Sequence, residues 1–286
     1  MTFIRNTPLL IAFILLTSSC SAIKDIASIK KPSLSISDVQ VSNISLQDIE
    51  LTIDIDIENP NAVSINLDSY NFDFLVENNS FVKGDQPLTT EIKSTATSTI
   101  QIPVSFTFNE LYQTFSSIKE KDETAYELDA IIAAKLPVLG LTEIPVKKSG
   151  TFPIVKPPKI SAPRLSVKNL SFTKAELELQ LNIDNPNNFG VTLNKLDYKV
   201  DINGLKSVSG MTSSAIDVSK KGSNTITVPV SFNLIELGRP AYQLLNSNKP
   251  LDYSISGSTN FDATLPFFDT SNYTFDRTGS LNIFNN

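Results

Sequence analysis

The stretch Ile49-Glu50-Leu51-Thr52-Ile53-Asp54-Ile55-Asp56-Ile57-Glu58-Asn59-Pro60-Asn61 decides the reading: five aliphatic residues alternate with five polar ones, and the run stops on Asn-Pro-Asn. Strict period two marks a strand with one buried and one wet face, as antiparallel sheets allow. Asn-Pro-Asn ends it, because proline has no N–H for a ladder and asparagine favours turns.

The same pattern returns 126 positions later. Ala175, Leu177, Leu179, Leu181 and Ile183 alternate with Glu176, Glu178, Gln180, Asn182 and Asp184, and Asn185-Pro186-Asn187 closes the run. Pro103-Val104-Ser105-Phe106 recurs as Pro229-Val230-Ser231-Phe232 at the same shift, which extends back to Ser45/Ser171 and forward to Leu111/Leu237. Solenoid units repeat every ~20–50 residues, so this repeat is a whole domain. A chain of 286 residues suits two of them.

Further strands follow in register. Tyr70, Phe72, Phe74 and Val76 match Leu196, Tyr198, Val200 and Ile202, and Ile100, Ile102, Val104 and Phe106 match Ile226, Val228, Val230 and Phe232. Residues 126–134 and 150–154 close the first repeat, and 253–261 and 279–284 the second. Between them, Asn109 to Lys119 spaces Leu111, Phe115 and Ile118 as a helix would, with Asn109 as its N-cap. The counterpart, 235–245, contains Gly238 and Pro240, so the second helix is predicted to be shorter or to start late. The pattern predicts a mainly β protein of two tandem antiparallel β-sandwich domains, each with one short α-helix, over 33–154 and 164–286. Residues 155–163 carry Pro157, Pro158 and Pro163 and read as an extended, semi-rigid linker.

The beginning of the chain reads as an address. Arg5 precedes the apolar run Leu9 to Leu16, and Thr17-Ser18-Ser19 lead into Cys20, the only cysteine. The run falls short of the ~20 residues that span a bilayer. The segment resembles a bacterial lipoprotein signal over 1–19, with Thr17 where leucine is usual. That resemblance implies lipidation of Cys20, a tether over 20–32 and, with Ser21 next, the periplasmic face of the outer membrane. Each buried CH₂ adds about 0.8 kcal/mol, so several acyl chains anchor stably.

At the two Asn-Pro-Asn strands, the following Ile65/Leu67 and Val191/Leu193, and the two Pro-Val-Ser-Phe strands leading into helices, the chain resembles the LEA type 2 family, also called the WHy (water stress and hypersensitive response) domain. The resemblance runs once per repeat. It implies a fibronectin/immunoglobulin-like sandwich, a link to water-stress protection, and no catalytic residues.

The chemistry available is narrow. The chain has no histidine, which removes the commonest general base and zinc ligand. No catalytic residue, cofactor or metal is expected. Asp54, Asp56 and Glu58 lie about 7 Å apart along one strand face, too flat to wrap a cation, and read as a solvated row. Asp269, Ser271, Asn272 and Asp276 lack the positional pattern of a calcium loop. The pairs Lys30-Lys31, Lys147-Lys148 and Lys220-Lys221 read as solvated turns. With a net charge of −6 and no basic run, nucleic acid is not an expected partner. Asn59, Pro60, Asn61, Asn185, Pro186 and Asn187 are the recognisable short motif, read as structural. Tyr70, Phe72, Phe74, Phe106, Phe108 and Phe115 read as core. The expected protein is a membrane-anchored, non-enzymatic envelope lipoprotein protective in water stress. The alternative is a module binding a lipid, a peptide or an envelope protein in a hydrophobic groove.

Overall fold

Ile49, Leu51, Ile53, Ile55 and Ile57 all turn inward, none more than 2% exposed, while Glu50 and Glu58 stay in solvent. The computed structural model describes residues 29–285 apart from 213 and 248. Cys20 and the expected signal segment lie outside the described residues.

The first repeat contains β1 (Ser33–Ile44), β2 (Asp48–Glu58), β3 (Ile65–Val76), β4 (Asn79–Pro87), β5 (Glu91–Ile92), β6 (Thr97–Thr107), α1 (Phe108–Thr114), a 3-10 turn (Ser116–Glu120), β7 (Glu123–Leu136) and β8 (Gly140–Pro153). The second runs β9 (Lys159–Leu170), β10 (Lys174–Asp184), β11 (Val191–Ile202), β12 (Val208–Met211), β13 (Ile216–Val218), β14 (Ser223–Asn233), α2 (Leu234–Leu245), β15 (Leu251–Ala263), β16 (Ser271–Leu281) and β17 (Ile283–Asn285). One sheet of the first repeat is ordered β1-β2-β6 and the other β4-β3-β7-β8, with β5 on β3. The second repeat copies both as β14-β10-β9 and β12-β11-β15-β16, with β13 on β11, and adds β17 parallel to β9. The protein is therefore mainly β, two tandem β-sandwiches.

By contacts, the described residues form two compact units whose limits differ from those of the repeats. The first is the stretch ending at Ser42 with Glu50–Phe106 and Glu123–Phe152. The second is Asn43–Ile49, Thr107–Asp122 and Pro153–Asn286. The β1–β2 turn and the helical segment of the first repeat thus belong to the second unit.

Aromatic rings close the first sandwich. Phe74 of β3 lies 5.2 Å from Tyr126 and 5.9 Å from Phe106 of the opposite sheet, and Phe106 lies 5.4 Å from Phe152. Burying each such ring stabilises the fold by about 1.5–3 kcal/mol. Tyr70, Phe72, Phe74, Phe106 and Phe108 are all buried; Phe115 is half-buried. In the second unit, Leu196 and Val200 stand where Tyr70 and Phe74 stand in the first, while Tyr198 and Phe232 keep the rings of Phe72 and Phe106, and all four are buried.

Two expectations are corrected, and the one for the second helix is refined. The helix N-cap is Thr107, not Asn109: Glu110 N donates to Thr107 Oγ1 (3.1 Å) and Thr107 N donates to Glu110 Oε2 (3.0 Å), a reciprocal box that satisfies two end donors. The second helical stretch spans twelve residues against seven, but it is two pieces broken at Gly238 (φ 76°), and the piece beyond begins near Pro240, as the late start expected there requires. The predicted linker is also partly strand, because β9 opens at Lys159. Ile160 and Ala162 alternate inward there, and Pro163 falls where the β9–β10 register skips between Ser161 and Arg164. A bulge tolerates a residue without an N–H.

Candidate functional site

The paired asparagines turn inward. Asn59, Asn61, Asn185 and Asn187 are at most 5% exposed. Asn59 Nδ2 donates to the carbonyls of Val63 (2.8 Å), Lys93 (3.0 Å) and Ile92 (3.3 Å), so one amide ties the strand end to β5. Its Oδ1 accepts from the backbone N (3.1 Å) and Nδ2 (2.9 Å) of Asn61. Asn61 in turn holds Lys30, accepting from Lys30 N at 2.8 Å and donating to Lys30 O at 2.9 Å. The second copy repeats each bond 126 residues on: Asn185 Nδ2 donates to Phe189, Ser219 and Val218 carbonyls, and Asn187 exchanges two 2.8 Å bonds with Lys156. Buried amides must find partners, and these do, which makes the motif a clamp on the entering strand.

A cleft of about 780 Å³ opens beside the second clamp, lined wholly by residues of the second unit. Lys119, Lys156, Lys159, Lys221 and Arg277 face the carboxylates of Glu120 and Asp184. Lys221, read as part of a solvated turn, is instead fixed: its Nζ donates to Asp122 and to the Pro186 carbonyl (2.8 Å). Asp122 also pairs with Lys156 Nζ at 3.6 Å. The Lys221 hydrogen bond, with smaller help from Lys156, holds the Asp122 carboxyl below the usual carboxylate range. Arg277 is oriented by Ile160 O (3.2 Å) and Asp276 O (2.7 Å). Tyr112 donates to Val155 O at 2.8 Å, and burial pushes its phenol up to about 12. The cleft therefore favours small anions. It holds no imidazole or thiol for proton transfer or attack. In the first repeat the positions of Lys159 and Lys221 are Ser33 and Thr95, so these cations belong to one copy. Their only sequence signal was that difference.

The acidic row does not gather. Asp54 accepts from Gln101 Nε2 (2.9 Å), Asp56 from Thr99 Oγ1 (2.6 Å) and Glu58 from Ser33 Oγ (3.1 Å), each served sideways by a neighbouring strand. Asp276 lies in the extended β16 with Ser271 and Asn272, and Ser271 accepts from Leu46 N. Among the described residues there is no group of three or more His, Cys, Asp or Glu placed to hold a metal. No described helix is long and apolar enough to cross a membrane.

Residues 54–150 and 180–279 match the late embryogenesis abundant protein family LEA_2, once in each repeat. The chain belongs to this family. Each LEA_2 segment holds its strand end and Asn-Pro-Asn clamp, or the part of it that carries the turn. The LEA match extends to individual proteins. Late embryogenesis abundant protein Lea14-A of Gossypium hirsutum is 27% identical over 125 residues, 44% of this chain and 83% of the relative. The probable desiccation-related protein LEA14 of Arabidopsis thaliana is 25% identical over the same length and shares of each chain. The desiccation protectant protein Lea14 homolog of Glycine max is 23% identical over 125 residues, 44% of this chain and 82% of the relative. Each alignment is thus about one LEA repeat long. A solution structure from Arabidopsis thaliana matches with a TM-score of 0.38 and 24% identity, covering 44% of this chain and 84% of that one. A solution structure of a putative late embryogenesis abundant protein gives 0.38 and 18%, covering 51% and 84%.

Proposed function

We propose that this protein is a non-enzymatic protective module of the cell envelope, held at the periplasmic face of the outer membrane by acyl chains on Cys20 and acting in water or desiccation stress. The observation that carries the protective reading is the doubled LEA_2 match, with relatives named for desiccation. The surface is suited to the task. The chain carries a net charge of −6, and the outward carboxylates of Asp54, Asp56 and Glu58 are held by neighbouring hydroxyls and amides, which favours a hydrated layer on that face. Both sandwiches are built without disulfides, since Cys20 is the one cysteine, and loss of redox balance during drying leaves the fold intact. The anchoring reading rests on the apolar run and small residues before Cys20.

A strain lacking the gene, dried and rewetted beside strains restored with the wild-type chain or Cys20→Ser, tests both parts. Survival is expected to fall without the protein, to return with the wild type, and to return incompletely with the serine variant. Equal survival of the deletion and parent strains overturns the protective reading. Mass spectrometry of the mature N-terminus that finds an unacylated Cys20 overturns the anchoring alone.

A further inference from the structure

The β15–β16 connection of the second repeat grips a turn inside the second unit. Ile44 N donates to Phe267 O (3.0 Å), Asp269 N donates to Ile44 O (2.8 Å), and Leu46 N donates to Ser271 Oγ (3.0 Å). Gln47 Nε2 donates to Asn272 O at 3.2 Å. Ile44 is 1% exposed, Leu46 packs on the second core, and Phe268 lies 5.7 Å from Phe261.

Both halves of this joint occur twice. The turn is rebuilt at 170–174: Ser171 Oγ accepts from Lys174 N (3.1 Å) as Ser45 Oγ accepts from Asp48 N (2.9 Å), and Leu234 N donates to Thr173 O as Phe108 N does to Gln47 O. The tip is rebuilt at Leu136-Pro137-Val138-Leu139, the counterpart of Leu265-Pro266-Phe267-Phe268. Val138 takes the left-handed conformation (φ 67°) that Phe267 takes (φ 59°). Thr142 Oγ1 donates to Gly140 O (3.4 Å) as Ser271 Oγ does to Asp269 O (3.0 Å).

These second copies are uncovered among the described residues. Val138 is 75% exposed, Leu139 50%, Leu141 59% and Phe172 79%. Phe172 stacks on Tyr242 (4.8 Å), which holds its ring in place. Leu170, the counterpart of the buried Ile44, pairs with Ala175 of β10 on one side, and on the other β17 pairs with β9 only from Leu165 to Val167 among the described residues. No charged residue falls between Lys135 and Glu143.

We propose that the 137–142 tip of one molecule docks on the 170–173 turn of a second copy of this chain, repeating between molecules the joint that the second repeat makes with Ile44 and Leu46. Leu139 takes the place of Phe268, Thr142 that of Ser271, Leu170 that of Ile44 and Phe172 that of Leu46. The two surfaces differ, so the contact is heterologous and propagates head to tail.

Sedimentation of the full chain in detergent tests this. The wild-type mass is expected to rise with concentration from that of one chain past that of two. Leu139→Asp and Phe172→Asp should each stay single, with unchanged circular dichroism and melting. Mixed in equal amounts they should form a dimer and stop there, because each supplies the half the other lacks. In an independent readout, a mixture of Val138→Cys and Phe172→Cys chains should cross-link on oxidation, and Val138→Cys with Ile235→Cys should not. A wild type that stays single, a mixture that forms no dimer, or equal cross-linking of both cysteine mixtures overturns the proposal. So does Leu139→Asp abolishing attachment to phosphatidylethanolamine–phosphatidylglycerol vesicles while the wild type stays single, which assigns the tip to the bilayer.

Discussion

Asn61 stands in for a strand beside Lys30: its Oδ1 accepts from Lys30 N at 2.8 Å and its Nδ2 donates to Lys30 O at 2.9 Å. The amide reproduces both bonds that a neighbouring peptide would supply, and it is itself held by Asn59. Removing Asn59 should therefore cost more than removing Asn61. Asn59→Ala strands the buried Asn61 amide and the carbonyls of Val63 and Lys93, at about 1–3 kcal/mol for each group left without water. Urea unfolding is expected to show a loss of about 3 kcal/mol for Asn59→Ala and about half of that for Asn61→Ala. Losses near zero for both would mean that the clamp contributes nothing.

Gly84 faces the ring of Phe72 across the β3–β4 pair. A methyl group there would lie 2.5 Å from Phe72 Cε1. Gly84→Ala forces the ring out of its place over the strand and should destabilise the first unit by about 1–3 kcal/mol. The double variant Gly84→Ala with Phe72→Ala should lose less than the sum of the singles, because the clash is then gone. Strict additivity in denaturant unfolding would refute the contact.

Asp122 should make stability depend on acid. Its carboxyl titrates below the usual range because Lys221 donates to it and Lys156 lies near. A folded pKa below the unfolded one stabilises at pH above the unfolded value, and the gain disappears as pH falls through the folded value. Melting followed from about pH 6 down to about pH 2 should show a smaller acid loss for Asp122→Asn than for the wild type. Parallel curves would show that the triad has no energetic weight.

Tyr112 gives the opposite limb. Burial raises its phenol from 10.0 to about 12. The neutral form is the one the fold prefers, so its contribution is complete below about pH 10 and is lost as pH rises through about 12. Burial also raises the phenols of Tyr70, Tyr126, Tyr198 and Tyr273, so ultraviolet titration should show a group of late phenols, and Tyr112→Phe should remove one of them. Its titration near the free value would contradict the buried bond to Val155.

The parts of the fold that were legible in the sequence are those with one wet and one dry face. β2 and β10 announce themselves because every second residue is fully buried. β8 was visible only at its end, since Leu141 to Lys148 expose or half-expose both faces and leave no contrast to read. The start of β9 was hidden by prolines that the bulge near Pro163 accommodates. At the candidate site, Asn-Pro-Asn was recognisable as a strand stop. Its inward clamp on Lys30 and Lys156 was not, because a backbone partner thirty-one residues upstream has no side-chain signature. The Asp122–Lys221 pair, separated by 99 residues, was equally silent.

The clamp also sets how the protein responds to tension. Among the described residues, a pull from the N-terminal side reaches Lys30 early, and the long-range bonds that take the strain there are the two from Asn61. Further along the chain the pull would meet an identical coupling at Lys156 and Asn187. Each repeat thus has its own mechanical fuse, two parallel bonds braced by a second asparagine, set where the thread enters the weave.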